Sequence, residues 1–256
     1  MIVDFVGKWT RSIASDLGYA TRSFIAILFS AAGLWRRPRL ITDQIHFIGN
    51  YSLVIIAVSG LFVGFVLGYQ GYYTLNRFGS GETLGLLVTI SLVRELGPVV
   101  TALLFAGRAG TSLTAEIGLM KAGEQLAAME MMAVNPVQRV LAPRFIAGLI
   151  SLPILTAIFN AMGVIGGYIV GVQLIGVDNG AFWSQMQAGV EIGQDIGNGV
   201  LKSIVFGFAV TFVALFQGYE AQPTPEGVSR ATTRTVVISS LLVLWLDFLM
   251  TAWMFQ

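Results

Sequence analysis

The stretch from Phe47 to Asn76 reads FIGNYSLVIIAVSGLFVGFVLGYQGYYTLN and contains no charged residue. A helix needs roughly 20 consecutive apolar residues to cross the ~30 Å hydrocarbon core of a bilayer. This stretch is longer than that minimum, so it can cross with some tilt. We therefore predict that residues 47–76 form a membrane-spanning helix.

The composition of the whole chain indicates the same class of protein. Of its 256 residues, 55% are hydrophobic and only 11% are charged, and the mean hydropathy is +0.76. A soluble domain usually carries about a quarter charged residues, so a soluble enzyme is excluded. The net charge of +1 provides no excess for binding nucleic acid. The chain has no cysteine and a single histidine, His46, which excludes disulfides, thiolate metal sites and two-histidine metal sites.

Outward from the first span, four more uncharged or nearly uncharged stretches are long enough to cross. We predict spans at residues 83–107, 145–177, 200–218 and 236–255. The segments 108–144, 178–199 and 219–234 between them are polar connectors. The last of these contains Pro223 and Pro225 and cannot be a continuous helix. The prediction is an all-α membrane protein with five transmembrane helices in one domain over residues 1–256.

Residues 1–46 form a basic N-terminal region around one apolar run, Phe24 to Trp35. The run is too short to cross a bilayer. A cleaved signal peptide is an alternative, but the three arginines that follow the run, Arg36, Arg37 and Arg39, would resist translocation. We therefore favour an interfacial helix that lies on the cytoplasmic surface of the membrane.

The positions of lysine and arginine predict the orientation. If the N-terminus is cytoplasmic, six of these residues lie in the N-terminal region, four in segment 108–144 and two in segment 219–234. The opposite side receives only Arg77 and Lys202. Because cytoplasmic loops carry the excess of positive residues, the N-terminus is predicted to be cytoplasmic and the C-terminus periplasmic or extracellular.

Three charges fall deep inside the predicted spans: Arg94 and Glu95 near the middle of the second, and Asp247 in the fifth. Charges at that depth cost several kcal/mol and normally face a cavity or one another. Adjacent residues of a helix point about 100° apart, so at least one of Arg94 and Glu95 must reach another helix or a lumen. Asp247 is a candidate partner for Arg94. A structural ion pair and a transport pathway are both open.

Glycines repeat at four-residue spacing in the first span, at Gly60, Gly64 and Gly68, and in the third span, at Gly167 and Gly171. Such stripes let helix backbones approach closely where the hydrophobic effect gives no help. They predict tight helix packing and no particular substrate.

The segment Met120 to Val134, MKAGEQLAAMEMMAV, differs from its neighbours because apolar and charged residues alternate at helical spacing before Asn135 and Pro136. A short amphipathic helix with a methionine-rich face suits docking to another protein. Packing against its own bundle is the alternative.

No phosphate-binding loop of the form G-x-x-x-x-G-K-[ST] occurs in the sequence. The nearest glycine cluster, GRAG at 107–110, lacks the spacing and the lysine. The chain is therefore not expected to hydrolyse ATP by that mechanism, and no nucleophile–base set indicates an intramembrane hydrolase.

Two long strings make the sequence similar to a known family. The first is SLVRELGPVVTALLFAGRAGTSLTAEIGLMKAGEQLAAMEMMAVNPVQRVLAPR, Ser91 to Arg144, and the second is GYEAQPTPEGVSRATTRTVV, Gly218 to Val237. Both strongly resemble the MlaE/YrbE family of permeases, the membrane subunits of ABC-type lipid transporters. The resemblance extends from about Tyr51 to the end of the chain.

The resemblance implies a non-catalytic permease in the bacterial inner membrane, in a system that maintains the lipid asymmetry of the outer membrane. It implies an N-terminal elbow helix, five spans and a homodimer. It also implies three partner types: a separate ATPase (MlaF-like) that binds ATP, a STAS-domain protein (MlaB-like) and a periplasmic MCE-domain hexamer (MlaD-like). No cofactor or metal of the chain's own is expected.

The resemblance also implies site residues. A phospholipid is expected in a cavity between two copies, lined by Leu67, Leu75, Phe78, Arg94, Glu95 and Leu96. Thr74 stands where an aliphatic residue is common in relatives. Residues 120–136 correspond to the coupling helix that docks in the ATPase, with Glu124, Leu126, Met129 and Met132 as the expected docking residues.

Two other functions compete with this one. The first is an ion-coupled secondary transporter that uses Arg94, Glu95 and Asp247 as a charge relay and needs no ATPase. The second is an intramembrane enzyme that acts on lipids, which the missing nucleophile–base set disfavours. Co-purification with an ATPase separates the first from an ATP-driven permease.

Overall fold

The computed structural model describes residues 18, 21–22, 25–30 and 38–254. Its five long helices are α1 (Pro38–Asn76), α2 (Gly81–Ala122), α4 (Val137–Leu174), α6 (Ile192–Glu220) and α7 (Pro225–Met254). Two short helices, α3 (Gln125–Met131) and α5 (Asn179–Gly189), lie between them. All five long helices are apolar enough to cross a membrane. The predicted all-α fold with five spans is confirmed.

The long helices extend beyond the predicted spans. The longest, α2, has 42 residues, which at 1.5 Å per residue makes about 63 Å, roughly twice the hydrocarbon thickness. Residues 108–122, which polarity assigned to a connector, therefore continue the second span as helix. The helix stops where Gly123 is followed by Glu124, whose φ of 57° lies in the left-handed region.

The connector between the third and fourth spans is also more ordered than its polarity indicates. Segment 178–199, read as a polar, glycine-rich connector, contains α5 and the first turns of α6. Asp178 caps α5, since its carboxylate accepts a hydrogen bond of 2.7 Å from the backbone N–H of Ala181. Phe182 then anchors α5 in the core with no exposed surface.

The chain breaks where the prolines predicted. Helix α6 ends at Glu220 and α7 begins at Pro225, so the segment with Pro223 is not helical. The backbone N–H of Gly227 donates to Thr224 Oγ1 at 3.1 Å in the first turn of α7. Between α3 and α4, Asn135 Oδ1 accepts from the backbone N–H of Val137 at 2.9 Å.

The predicted interfacial helix over 24–35 is described only in part. Residues 25–30 are helical, and Ile27 is buried with 1% of its surface exposed. The remaining residues of that prediction, and most of residues 1–37, lie outside the described residues.

The glycine stripes of α1 and α4 face each other. A Cβ added at Gly60 would lie 2.6 Å from Phe159 O, one at Gly64 would lie 2.0 Å from Gly163 O, and one at Gly68 would lie 3.1 Å from Gly167 O. Only glycine permits backbones to approach this closely. The predicted tight packing is confirmed.

A second contact ties α2, α6 and α7 together through buried hydroxyls. Thr114 Oγ1 donates to Ala214 O at 2.9 Å and lies 2.8 Å from Thr235 Oγ1. Helix α6 is the most enclosed of the five, with 61% of its most apolar window buried, whereas α7 has 17%. Helix α6 therefore lies at the centre of the bundle, whereas most of the surface of α7 is exposed on the outside of the bundle.

Candidate functional site

A π-turn in α2 shapes the centre of the site. Residues Leu92–Leu96 form this turn, and the backbone N–H of Gly97 donates five residues back to Leu92 O. Such widened turns inside α-helices occur frequently at functional sites. The turn carries Arg94 and Glu95, the two charges that the sequence placed within the second span.

Arg94 pairs with the beginning of α6. Its guanidinium contacts Asp195 Oδ1, and Asp195 is almost fully buried, with 2% of its side chain exposed. The other oxygen of Asp195 accepts a hydrogen bond of 2.8 Å from the backbone N–H of Glu191. The carboxylate therefore binds the arginine and closes the first turn of α6 at the same time.

Glu95 pairs with a different cation, Lys202 of α6. The ammonium of Lys202 lies 3.0 Å from Glu95 Oε2, 2.9 Å from Asp247 Oδ1 and 2.6 Å from Thr251 Oγ1. Its side chain is 1% exposed. Three donors and three acceptors match, so a buried ammonium is fully bonded between α2, α6 and α7.

These contacts correct two expectations. Asp247 is not the partner of Arg94, because the adjacent residues Arg94 and Glu95 project toward different parts of α6 and only Glu95 reaches the Lys202–Asp247 pair. Lys202, counted above for the outer side of the membrane, is instead buried in the bundle, because α6 begins ten residues before it. Asp195 and Lys202 are the partners that sequence reasoning missed. The sequence did hint at Lys202, because Glu95 and Asp247 are two carboxylates within the spans and carboxylates at that depth require nearby cations.

We call Arg94, Glu95, Asp195, Lys202 and Asp247 the charge network. Its three carboxylates and two cations leave the network near neutrality, as a low-dielectric interior requires. Two members are accessible at its edge: the Arg94 side chain is 32% exposed and the Glu95 side chain is 38% exposed. The network therefore presents one positive and one negative group to the space outside this copy of the chain.

The apolar residues expected to line a lipid cavity occupy two environments. Leu67, Leu75 and Leu96 are partly buried and pack against the main core. Phe78, just beyond the end of α1, is 79% exposed. On α1, Leu67 and Leu75 are eight residues apart, which places them on the same side of the helix. The leucines contribute to the fold in addition to any contact with a ligand.

The expected docking helix is α3, and its four predicted docking residues divide between a buried and an exposed side. Leu126 is 5% exposed and packs with Ile117, Val140 and Phe145 in a satellite cluster, and Met129 lies against that cluster. The exposure expected of Leu126 is therefore wrong, because its apolar side chain seats α3 on the bundle.

The outer side of α3 presents the other two predicted docking residues, Glu124 and Met132, together with Met131. Met131 is 84% exposed and Met132 is 67% exposed, and Glu124 is also exposed. Two large apolar side chains in succession at the tip of a polar connector form the surface that a partner would cover.

Another partly buried charge, Arg108, links α2 to α1. Arg108 lies in another π-turn, Ala106–Gly110, and its Nη1 donates to Ile48 O and Ser52 Oγ of α1, both at 3.2 Å. Its guanidinium also lies 5.3 Å from the centre of the Tyr51 ring. Sequence analysis counted Arg108 only as a connector charge. Within the described residues, no cluster of three or more His, Cys, Asp or Glu side chains could hold a metal ion.

Comparison with known proteins identifies the family. The family described as Permease MlaE matches residues 41–253, which include all the elements of the charge network. The chain belongs to the MlaE permease family. The resemblance read from the sequence is confirmed.

Two of the relatives of this MlaE-family chain described here span its full length. It is 54% identical to the intermembrane phospholipid transport system permease protein MlaE of Haemophilus influenzae, over 100% of this chain and 99% of the relative. It is 37% identical to a probable ABC transporter permease protein of Rickettsia typhi, over 100% of this chain and 98% of the relative. A probable ABC transporter permease protein of Synechocystis is 33% identical over 84% of this chain and 81% of its own length.

Proposed function

We propose that this chain is the permease subunit of an ATP-driven transporter that moves phospholipid between membranes. The observation that carries the proposal is the 54% identity, over essentially whole chains, to a permease named for intermembrane phospholipid transport. The Rickettsia and Synechocystis relatives are named as ABC transporter permeases, which supports an ATPase partner. In this proposal the permease is not catalytic, and a separate subunit binds and hydrolyses ATP.

The proposed transport site lies between two copies of the chain. Arg94 and Glu95 are partly exposed on the surface of one copy. A polar space of headgroup size between two copies would keep them hydrated, which costs less free energy than exposing them to lipid tails. Leu67, Leu75, Leu96 and Phe78 would contact acyl chains. The bacterial inner membrane, a STAS-domain partner and a periplasmic MCE-domain hexamer complete the proposed assembly, which would maintain outer-membrane lipid asymmetry.

The proposed orientation has a cytoplasmic N-terminus and a periplasmic C-terminus. Lys202 is buried in the charge network and no longer counts for the outer side. The lysine and arginine distribution is then twelve cytoplasmic residues against Arg77 alone. This orientation places α3 and its exposed methionines on the side where ATP is available.

An ion-coupled carrier that uses Arg94, Glu95 and Asp247 as a relay has less support. Glu95 and Asp247 are bound to Lys202, whereas Arg94 is bound to Asp195. The three relay members are therefore divided between two ion-paired groups, and the ABC-type relatives argue for another energy source.

Photo-crosslinking tests the lipid site. A photo-reactive residue at Leu75 or Leu96 should capture phospholipid even when the protein is irradiated after purification in detergent, because a lipid enclosed between two copies survives the loss of the bilayer. The control position is Ile154 of α4, which is 53% exposed and would face bulk lipid. The measurement is mass spectrometry of the crosslinked peptide. Capture at Ile154 with none at Leu75 and Leu96 would contradict the proposed cavity.

Aspartate substitutions test the docking surface of α3. Replacing Met131 and Met132 with aspartate should reduce recovery of a co-expressed ABC-type ATPase by at least about tenfold, because two exposed apolar contacts of 1–2 kcal/mol each would be lost. The permease itself should remain in the membrane. Ser229→Asp, also exposed but in the first turns of α7, is the control and should leave recovery unchanged. Leu126→Asp is unsuitable because Leu126 supports the fold.

A further inference from the structure

A pocket lies at the opposite end of α6 from the charge network. It has a volume of about 350 Å³, within the range of small-molecule sites. The pocket is lined by residues of the helical segment 25–30, α4 and α6. Its lining residues are Arg22, Ala26, Ile27, Val137, Leu141, Phe216, Tyr219 and Glu220.

Part of the lining of this pocket is apolar and belongs to the packed interior of the protein. Ile27 is 1% exposed and Leu141 is 2% exposed, and both belong to the satellite cluster that seats α3. Phe216 supplies an aromatic wall from α6. Such a surface suits an acyl chain better than water or a polar solute.

The exposed side of segment 25–30 places the pocket at membrane level. Ile25, Leu28 and Phe29 are exposed by 47%, 41% and 80%, so this short helix is apolar on its outer side as well as its inner side. A helix of this kind is stable in the acyl-chain boundary of a bilayer. Tyr219, near the end of the apolar part of α6, is the residue type that marks the membrane–water interface. The pocket therefore opens at the depth of the lipid headgroups.

Two opposite charges line the same pocket. Arg22 and Glu220 are both exposed, and neither forms an ion pair or side-chain hydrogen bond with another residue in the described part of the chain. A guanidinium matches the geometry of a phosphate, which it can bind with two hydrogen bonds. A carboxylate beside it attracts an ammonium and repels a second anion.

We propose that this pocket binds one phospholipid with a zwitterionic headgroup of the phosphoethanolamine type. Arg22 binds the phosphate, Glu220 binds the ammonium, and one acyl chain lies over Ile27, Leu141 and Phe216. The site is separate from the proposed transport cavity, since Glu220 and Lys202 are 18 residues apart on one helix, or about 27 Å. It requires a chain embedded in a bilayer and does not depend on what the chain transports.

The test uses the full chain in nanodiscs of equal parts phosphatidylethanolamine and phosphatidylglycerol. A photo-reactive residue at Ala26 reports on the pocket, and one at Ile25, on the outer face of the same segment, reports on bulk lipid. We expect adducts at Ile25 to follow the bilayer composition and adducts at Ala26 to be enriched in phosphatidylethanolamine by about threefold, the fold-change typical of one partly exposed ion pair. Val137, also in the lining, is a second reporter position if the Ala26 variant does not fold.

Single substitutions then assign the roles of the two charges. Glu220→Gln should abolish the enrichment at Ala26 without lowering the total adduct yield, whereas Arg22→Gln should lower the yield of both lipids about threefold. Glu226→Gln, which removes a carboxylate from an exposed ion pair outside this pocket, should change neither quantity. Equal lipid ratios at Ala26 and Ile25, enrichment that persists in Glu220→Gln, or the same loss with Glu226→Gln would each overturn the proposal.

Discussion

Replacing Gly64 with alanine should destabilise the bundle more than any other single-methyl addition in the α1–α4 contact. The new Cβ would lie 2.0 Å from Gly163 O and 2.8 Å from its carbonyl carbon. Backbone atoms cannot rotate away as a side chain does, so the two helices must separate. We expect a loss of at least about 3 kcal/mol, the upper end of the usual overpacking range. The measurement is the thermal midpoint of the detergent-solubilised protein, followed by size-exclusion chromatography.

Alanine substitutions at two further glycines serve as comparisons for Gly64→Ala. At Gly68 the added Cβ would lie 3.1 Å from Gly167 O, so Gly68→Ala should have a smaller effect than Gly64→Ala. At Gly107 of α2 an added Cβ would meet no atom outside the adjoining helix backbone within 4 Å, and Gly107→Ala should be neutral or slightly stabilising because alanine favours helix. Equal midpoints for Gly64→Ala and Gly107→Ala would show that the two stripes do not meet in the folded protein.

The sequence could predict the glycine stripe of α1 but not the helix against which it packs. Four-residue glycine spacing indicates close approach by some helix, and hydropathy indicates which segments cross. Neither contains the information that Gly64 meets Gly163 on the fourth helix of the fold. The pairing depends on how all five helices pack, which is a tertiary property.

The sequence predicted which segments form helices better than it predicted where those helices end. Hydropathy ends a span where polar residues begin, at Gly107 for the second span, but α2 continues to Ala122. A helix needs no apolar surface to continue, and Thr114 stabilises the extension through buried hydrogen bonds to α6 and α7. Proline, in contrast, acts through local sterics, so the break before Pro225 was readable from the sequence alone.

The sequence predicted only part of the charge network. Arg94, Glu95 and Asp247 stood out because charge inside a span is expensive. Asp195 and Lys202 did not, because they lie close to where the fourth span was expected to begin. The docking residues were also predicted in part. Helical spacing identified α3 as amphipathic, and Met132 is exposed as expected, but only the packed bundle shows that Leu126 is buried and Met131 is exposed.

Replacing Lys202 with methionine should have the largest effect of any substitution in the charge network. Methionine has nearly the same length and no charge, so the packing of α6 is retained while Glu95 and Asp247 lose the ammonium that both of them bind. Breaking a buried ion pair by removing one partner costs about 3–5 kcal/mol, because the remaining charge is left uncompensated. We expect a lower thermal midpoint and a reduced yield of folded protein in detergent.

Compensating substitutions show whether this loss is electrostatic. Adding Glu95→Gln and Asp247→Asn to Lys202→Met removes both uncompensated carboxylates and should recover most of the stability, since neutral replacement of a whole buried ion-paired group is often tolerated. Arg230→Gln provides the exposed comparison: its pair with Glu226 is 71% and 75% exposed, and its loss should cost less than about 1 kcal/mol. If the triple variant were no more stable than Lys202→Met alone, the role of Lys202 would be one of shape rather than charge. The balance of two cations and three carboxylates would then not be what holds α2, α6 and α7 together.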